Sequence, residues 1–192
     1  MSDLGLEFQA ARHLDFLVSE SGYRCTASTP YAVRFESQTT FIEVLFDGNR
    51  SYELDLVIGN IDSIATRSPA FSIAEILRFK HATEAEKYAL VQVTSSEALA
   101  SFVEQLCLML RKYGGDFVAG NEKSFEELSL QRQKESQAYA LERDLRIART
   151  AAEAAWRKKD YATMVKVLLP LCSNLTASEM GKLRFAEKQC SQ

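Results

Sequence analysis

The sequence predicts an α+β protein: an antiparallel β-meander of four or five strands covered by helices, with a helical C-terminal extension. Three observations carry that expectation. Residues 40–60, TFIEVLFDGNRSYELDLVIGN, alternate apolar and polar side chains on both sides of an Asp47-Gly48-Asn49-Arg50 turn, the period of two that a half-buried strand requires. From Ser95 onward, Leu99, Phe102, Val103, Leu106, Met109 and Leu110 recur at helical spacing. The strand-like runs come first and the helical runs follow, an order that suits segregated layers rather than alternating βαβ units.

Within the hairpin, Ile42, Val44 and Phe46 share a face with Tyr52, Leu54 and Leu56 if Phe46 lies opposite Tyr52, Val44 opposite Leu54 and Ile42 opposite Leu56. A one-residue slip would carry Glu53 and Asp55 into the core. The connection is then a short, odd-length loop. Upstream, the same logic places Tyr31, Val33 and Phe35 on the core face, makes Gln38-Thr39 the turn, and sets Arg34 opposite Glu43. Glu43 in turn faces Asp55, so the solvent face carries a row in which one attractive pair adjoins one repulsive pair.

The remaining elements follow in order. Residues 4–19 form an amphipathic helix on Phe8, Ala11, Leu14, Leu17 and Val18, with Ser2 or Asp3 as cap and Gly22 as stop. Strands are expected over residues 23–28, 31–36, 40–46 and 51–58, with Pro30 as a break and residues 60–69 as a loop. Ser72 and Glu75 make a capping box, stapled by Phe71 and Ile76, that opens a helix over residues 73–80. Thr83 to Glu86 repeats the cap pattern, and Leu90, Val91 and Val93 favour a strand added to the sheet. The helix from Ser95 ends near Tyr113-Gly114-Gly115. Residues 121–159, rich in Glu, Gln, Arg, Lys and Ala with pairs such as Glu142/Arg146 and Glu153/Arg157, read as one long solvated helix. The chain is thus expected to comprise a sheet domain, 1–120, and a helical extension, 121–192.

With 192 residues and 46% hydrophobic content, the chain can bury a core without covalent staples. Cys25, Cys107, Cys172 and Cys190 are scattered with no CxxC pair, and no charged leader or long apolar run opens the sequence, so a cytoplasmic, membrane-free protein is expected. Charge is uneven: residues 1–120 carry 16 acidic and 10 basic side chains, residues 121–192 carry 10 and 13. The sheet half is acidic and the tail mildly basic.

Few residues carry recognisable chemistry. His13 and His81 have no ligand or triad partner at a known spacing, so neither a metal site nor a histidine-based nucleophile is expected. No GxxxxGK[ST] or GxGxxG occurs, and no cofactor is implied. The basic run Arg157-Lys158-Lys159 is too short, and too close to Asp160, to suggest nucleic acid. What stands out is acidic. Glu43, Asp47, Glu53 and Asp55, ordered by Arg34, read either as an exposed structural face or as a docking surface for a basic protein partner. The alternative, a divalent metal held for hydrolase or nuclease chemistry, requires these carboxylates to converge, and Glu53 is offset toward the turn.

Two resemblances bear on function. The segments Val33-Arg34-Phe35-Glu36-Ser37, Ser51-Tyr52-Glu53-Leu54 and Leu110-Arg111-Lys112-Tyr113-Gly114 have a layout that resembles small bacterial cytoplasmic proteins, among them immunity proteins of toxin systems. That resemblance implies an α+β protein that neutralises a toxin by capping it, with no chemistry of its own. Residues 151–169, followed by a third helix over 178–189, resemble a single tetratricopeptide-type unit, which leaves a helical-repeat scaffold as a further alternative.

Overall fold

A computed structural model of the chain describes residues 4–61 and 70–191. The architecture is α+β, with an antiparallel sheet and a long helical C-terminal region, as the sequence predicts. By compactness the chain divides into residues 1–131 and 132–192. No helix among the described residues is long and apolar enough to cross a membrane.

The first unit opens with α1 (Leu6–His13) and α2 (Asp15–Ser19), separated at Leu14. The single helix expected over residues 4–19 is therefore broken, and its buried side is Leu6, Ala10, Leu14, Phe16 and Leu17. Phe8 and Val18, assigned to the apolar stripe, face solvent instead. Gly22 adopts the left-handed conformation that stops α2. The expected caps at Ser2 and Asp3 lie outside the described residues, as does most of the loop expected over 60–69.

The sheet then runs β1 (Arg24–Thr29), β2 (Ala32–Glu36), β3 (Thr40–Phe46) and β4 (Glu53–Asn60), each strand pairing with the next. Two short strands, β5 (Phe71–Ser72) and β6 (Val91–Gln92), both pair with β4. Between β2 and β3 the expected turn is present: Ser37 closes it by donating its amide to the Thr40 carbonyl, and Arg34 lies opposite Glu43. Between β3 and β4 the faces are as expected but the pairing is displaced by two residues. Phe46 meets Leu54, Val44 meets Leu56 and Ile42 meets Ile58. The reason is the loop. Asp47 accepts hydrogen bonds from the Asn49, Arg50 and Ser51 amides and from the Ser51 hydroxyl, winding residues 47–52 into a turn longer than a tight hairpin. Tyr52, expected inside the strand, has a φ of 56° and is exposed. Tyr31, expected on the core face, is exposed as well.

Helix α3 (Ile73–Phe79) begins at the predicted capping box: Glu75 donates its amide to the Ser72 hydroxyl, and the Glu75 carboxylate accepts the Ser72 amide. A 3₁₀ turn (Thr83–Glu86) precedes β6. Helix α4 (Ser96–Tyr113), capped by Ser95, covers the sheet with Leu99, Val103, Leu106, Cys107 and Leu110. Helix α5 (Gly115–Val118) turns the chain into α6 (Glu122–Lys158). One polar node ties this core together. Buried Tyr23, just before β1, hydrogen-bonds Thr40 at the start of β3 and donates to the Val118 carbonyl at the end of α5, 2.9 Å away.

In the second unit, the C-terminal part of α6, α7 (Tyr161–Leu168) and α8 (Ala177–Cys190) enclose a small core of Ala148, Ala152, Ala155, Met164, Leu168, Leu183 and Ala186. The alanines let the helix backbones approach. Lys159 takes the left-handed conformation at the turn and Asp160 caps α7, while Thr176 and Glu179 form a second capping box at the start of α8.

Tyr23→Phe leaves the Val118 carbonyl without its donor in the core. It is expected to lower the unfolding free energy by about 1–3 kcal/mol in urea titration. A variant as stable as wild type would remove the node from the structural account.

Candidate binding face

The face of the sheet opposite the core is built by alternate residues of three strands: Arg34 and Glu36 on β2, Phe41, Glu43 and Leu45 on β3, Glu53, Asp55 and Val57 on β4. Its centre is a stack. Phe41 lies opposite Gly59, where any side chain would strike its ring, so the ring lies flat on the strand. The Arg34 guanidinium sits over that ring, 3.7 Å from its centroid. Its Nε donates to Glu36 at 2.7 Å and its Nη1 to Glu43 at 3.3 Å, while Nη2 is buried with no hydrogen-bond partner among the described residues. Arg34 is only 17% exposed and Glu43 22%, so this is a half-buried cluster rather than a loose surface pair.

The five residues singled out in the sequence do not form one patch. Arg34 and Glu43 are together, as expected. Glu43 does not face Asp55: it lies opposite Val57, and Asp55 lies opposite Leu45, so the anticipated like-charge pair is absent. Asp47 belongs to the loop. Partial desolvation opposes its ionisation, but the hydrogen bonds from Ser51, Asn49 and Arg50 outweigh it and hold the carboxyl below its ordinary value. Glu53 opens β4 opposite Gln92 and is partly exposed.

Asp55 has a separate setting. Along the outer edge of β4, β6 covers Glu53 and Leu54 while β5 covers Val57 and Ile58, leaving Asp55 and Leu56 between the two short strands. The Asp55 carboxylate fills that gap by accepting the Leu56 amide at 2.8 Å and hydrogen-bonding the Tyr88 hydroxyl. Burial pushes the Asp55 carboxyl up. The two hydrogen bonds pull it back only in part, and Glu75 and Glu53 add repulsion. Burial and the adjacent Asp55 charge likewise push up the Tyr88 hydroxyl.

Sequence reasoning missed the exposure of three apolar side chains at one end of the sheet, of which Leu45 lies on this outer face while Tyr31 has the inner parity of Val33 and Phe35 and sits beside Phe46 at Gly48. Leu45 lies beside Asp55, and Tyr31 and Tyr52 flank the end of β3, where the Tyr31 carbonyl accepts the Phe46 amide and the Tyr52 amide donates to the Asp47 carbonyl. Their strand-like setting in sequence made both tyrosines read as core. Among the described residues, no three His, Cys, Asp or Glu side chains group so as to hold a metal ion. No family model, curated protein or solved structure matches the chain.

Glu43→Lys would set a second cation beside Arg34 and strip one of its two carboxylates. The expected loss of stability is about 1–2 kcal/mol, between the exposed and the buried limits for an ion pair. A neutral outcome in denaturant unfolding would mean that the pair is solvated.

The Asp55 carboxyl binds its proton more tightly in the folded than in the unfolded chain. It therefore contributes stability that is complete below the ordinary aspartate pKa of about 3.9 and is lost as pH rises through the folded value. Asp55→Asn removes this dependence. Its unfolding free energy is expected to fall less than that of wild type between about pH 4 and about pH 7. Superimposable pH profiles would overturn the buried setting of Asp55.

Proposed function

We propose that the chain is a protein-binding module whose outer sheet face docks a basic partner, in the manner of an immunity-like protein that neutralises by capping. The observation that carries this reading is the Arg34 stack. It fixes Glu36 and Glu43 in place before any partner arrives, beside Leu45, which supplies exposed apolar area on the same face. Residues 1–131 carry 19 acidic and 11 basic side chains, so a cationic protein is drawn toward this unit over several ångströms before contact.

In this reading Glu36, Glu43 and Glu53 meet the partner, Arg34 positions the first two, and Asp47 and Asp55 keep the loop and the β4 edge in shape. The hydrolase alternative finds less support in the geometry. The outer-face carboxylates point to different partners, Glu43 to Arg34 and Asp55 to its own strand and Tyr88, rather than converging on one point. The site of action fitting this reading is the cytoplasm, where such a partner would be met before it acts.

The experiment is affinity capture with three immobilised proteins: wild type, Leu45→Lys/Glu53→Lys, and Glu142→Lys/Asp144→Lys in the second unit. A basic protein is expected to be retained by wild type and by the second-unit variant, and lost by the sheet-face variant. Its association rate should fall steeply as salt rises from about 0.05 to about 0.5 M, because charge steering is screened. Loss of capture only on changing Glu142 and Asp144 would move binding to the helical region.

A further inference from the structure

A second feature of the first unit is independent of the outer face and shares no residue with the docking surface except through the body of β4. Between β6, the 3₁₀ turn before it, and helix α4 lies a partly enclosed cavity of about 300 Å³. Leu54, Val91, Phe102, Leu106 and Met109 form its walls, with Leu54 and Leu106 reaching it from the buried core. A volume of this size with a mostly apolar lining falls at the lower end of small-molecule sites. Water filling it would find few polar partners, and left empty it forfeits packing along three elements.

The polar groups around the mouth decide what would fit. Glu84 is spent: it takes hydrogen bonds from Lys112 at 2.7 Å, from the Tyr113 hydroxyl and from Thr83 at 2.9 Å, and these contacts, Lys112 foremost, hold its carboxyl down at about 2. The Tyr88 hydroxyl is committed to Asp55, and the Gln105 amide donates to the Ser101 hydroxyl at 3.3 Å. Lys87 differs. Its side chain is exposed at the mouth and makes no hydrogen bond or ion pair with any described residue, while its backbone amide donates to the Glu84 carbonyl. The rim thus offers one uncommitted cation above an apolar pocket, with the neighbouring carboxylate already neutralised by Lys112.

We propose that this cavity binds a small amphiphilic carboxylate, its apolar tail lying among Leu54, Phe102, Leu106 and Met109 and its head group at the Lys87 ammonium. A neutral molecule of the same shape gains the tail contacts but not the head-group attraction, and a quaternary amine is repelled. The flexible thioether of Met109 suits a wall that must adapt to chain length.

The test uses the full chain with methyl-labelled methionine, titrated with octanoate, decanoate and dodecanoate below their micelle concentrations, and with decanol and decyltrimethylammonium as comparators. Met109 should shift saturably while Met164 and Met180, which belong to the second unit, stay fixed. Affinity should rise by about fourfold per added methylene until the cavity is full, then level off. Decanoate should bind about threefold to fivefold more tightly than decanol, an advantage lost in Lys87→Met and reversed toward the amine in Lys87→Glu. Ala89→Trp, at the exposed mouth, should abolish the Met109 shift with an unchanged melting profile. The proposal is overturned if the Met109 shift does not saturate, if all methionines shift together, if Ala89→Trp binds as wild type does, or if the amine binds as tightly as the carboxylate. Should Ala89→Trp fail to fold, the head-group preference of the Lys87 variants decides alone. None of these outcomes bears on the docking face.

Discussion

The inner face of β3 is the constraint from which the rest of the first unit follows. Thr40, Ile42, Val44 and Phe46 all point inward from a strand flanked on both sides, so their spacing dictates the parity of β2 and of β4. Val33 and Phe35 must fall in line on one side and Leu54, Leu56 and Ile58 on the other. Each such side chain contributes roughly 1.5–3 kcal/mol by leaving water, and a one-residue slip would forfeit the whole set while burying Glu43, Glu53 and Asp55. The face so formed has to be covered. Leu6, Ala10 and Leu14 do this from the N-terminus, and Leu99, Val103, Leu106 and Leu110 from α4.

That same constraint separates what the sequence could disclose from what it could not. Parity is legible because polar residues would otherwise be buried. A two-residue displacement leaves every face unchanged, so nothing in the apolar pattern opposes it, and the choice falls to the loop. There the four hydrogen bonds to Asp47 and the left-handed Tyr52 favour a wide turn over a tight one. The β2–β3 turn was legible to the residue because its Ser37 to Thr40 closure leaves no slack. The capping box of Ser72 and Glu75 was equally legible, since both partners lie within one turn of chain. In the first helix the apolar residues admit two stripes, and only contact with the sheet selects Leu6 and Ala10 over Phe8 and Val18.

The site divides along the same line. Arg34 with Glu43 was readable because a fixed turn fixes a cross-strand pair. The Phe41 ring beneath Arg34 follows from the same β2–β3 pairing, whereas the glycine beneath that ring was not readable, because it depends on the register of a third strand. Asp55 looked like a free carboxylate. Its gap-filling role arises from β5 and β6 stopping short of each other along β4, and two strands of two residues leave no periodic trace in a sequence. Tyr23 is similar: its partners Thr40 and Val118 are far along the chain, and nothing local distinguishes it from a tyrosine that merely packs.

The Arg34 stack also bears on how a charged face can bind without being held together by its partner. Glu36 and Glu43 would repel one another and remain mobile if only solvent separated them. Arg34 compensates part of that charge and, by resting on Phe41, removes rotamer freedom from three side chains at once. In the proposed docking a partner cation would meet carboxylates already ordered, so the entropy of fixing them would not be subtracted from its binding energy. The cluster retains one excess negative charge, and Glu53 adds another at the far end of β4. On the proposed reading such a face would discriminate by sign of charge more than by shape, while Leu45 would supply contact area that charge alone does not. Replacing Arg34 by lysine would keep the formal charge but lose both the flat stack and the forked donation, and with them the ordering on which the face depends.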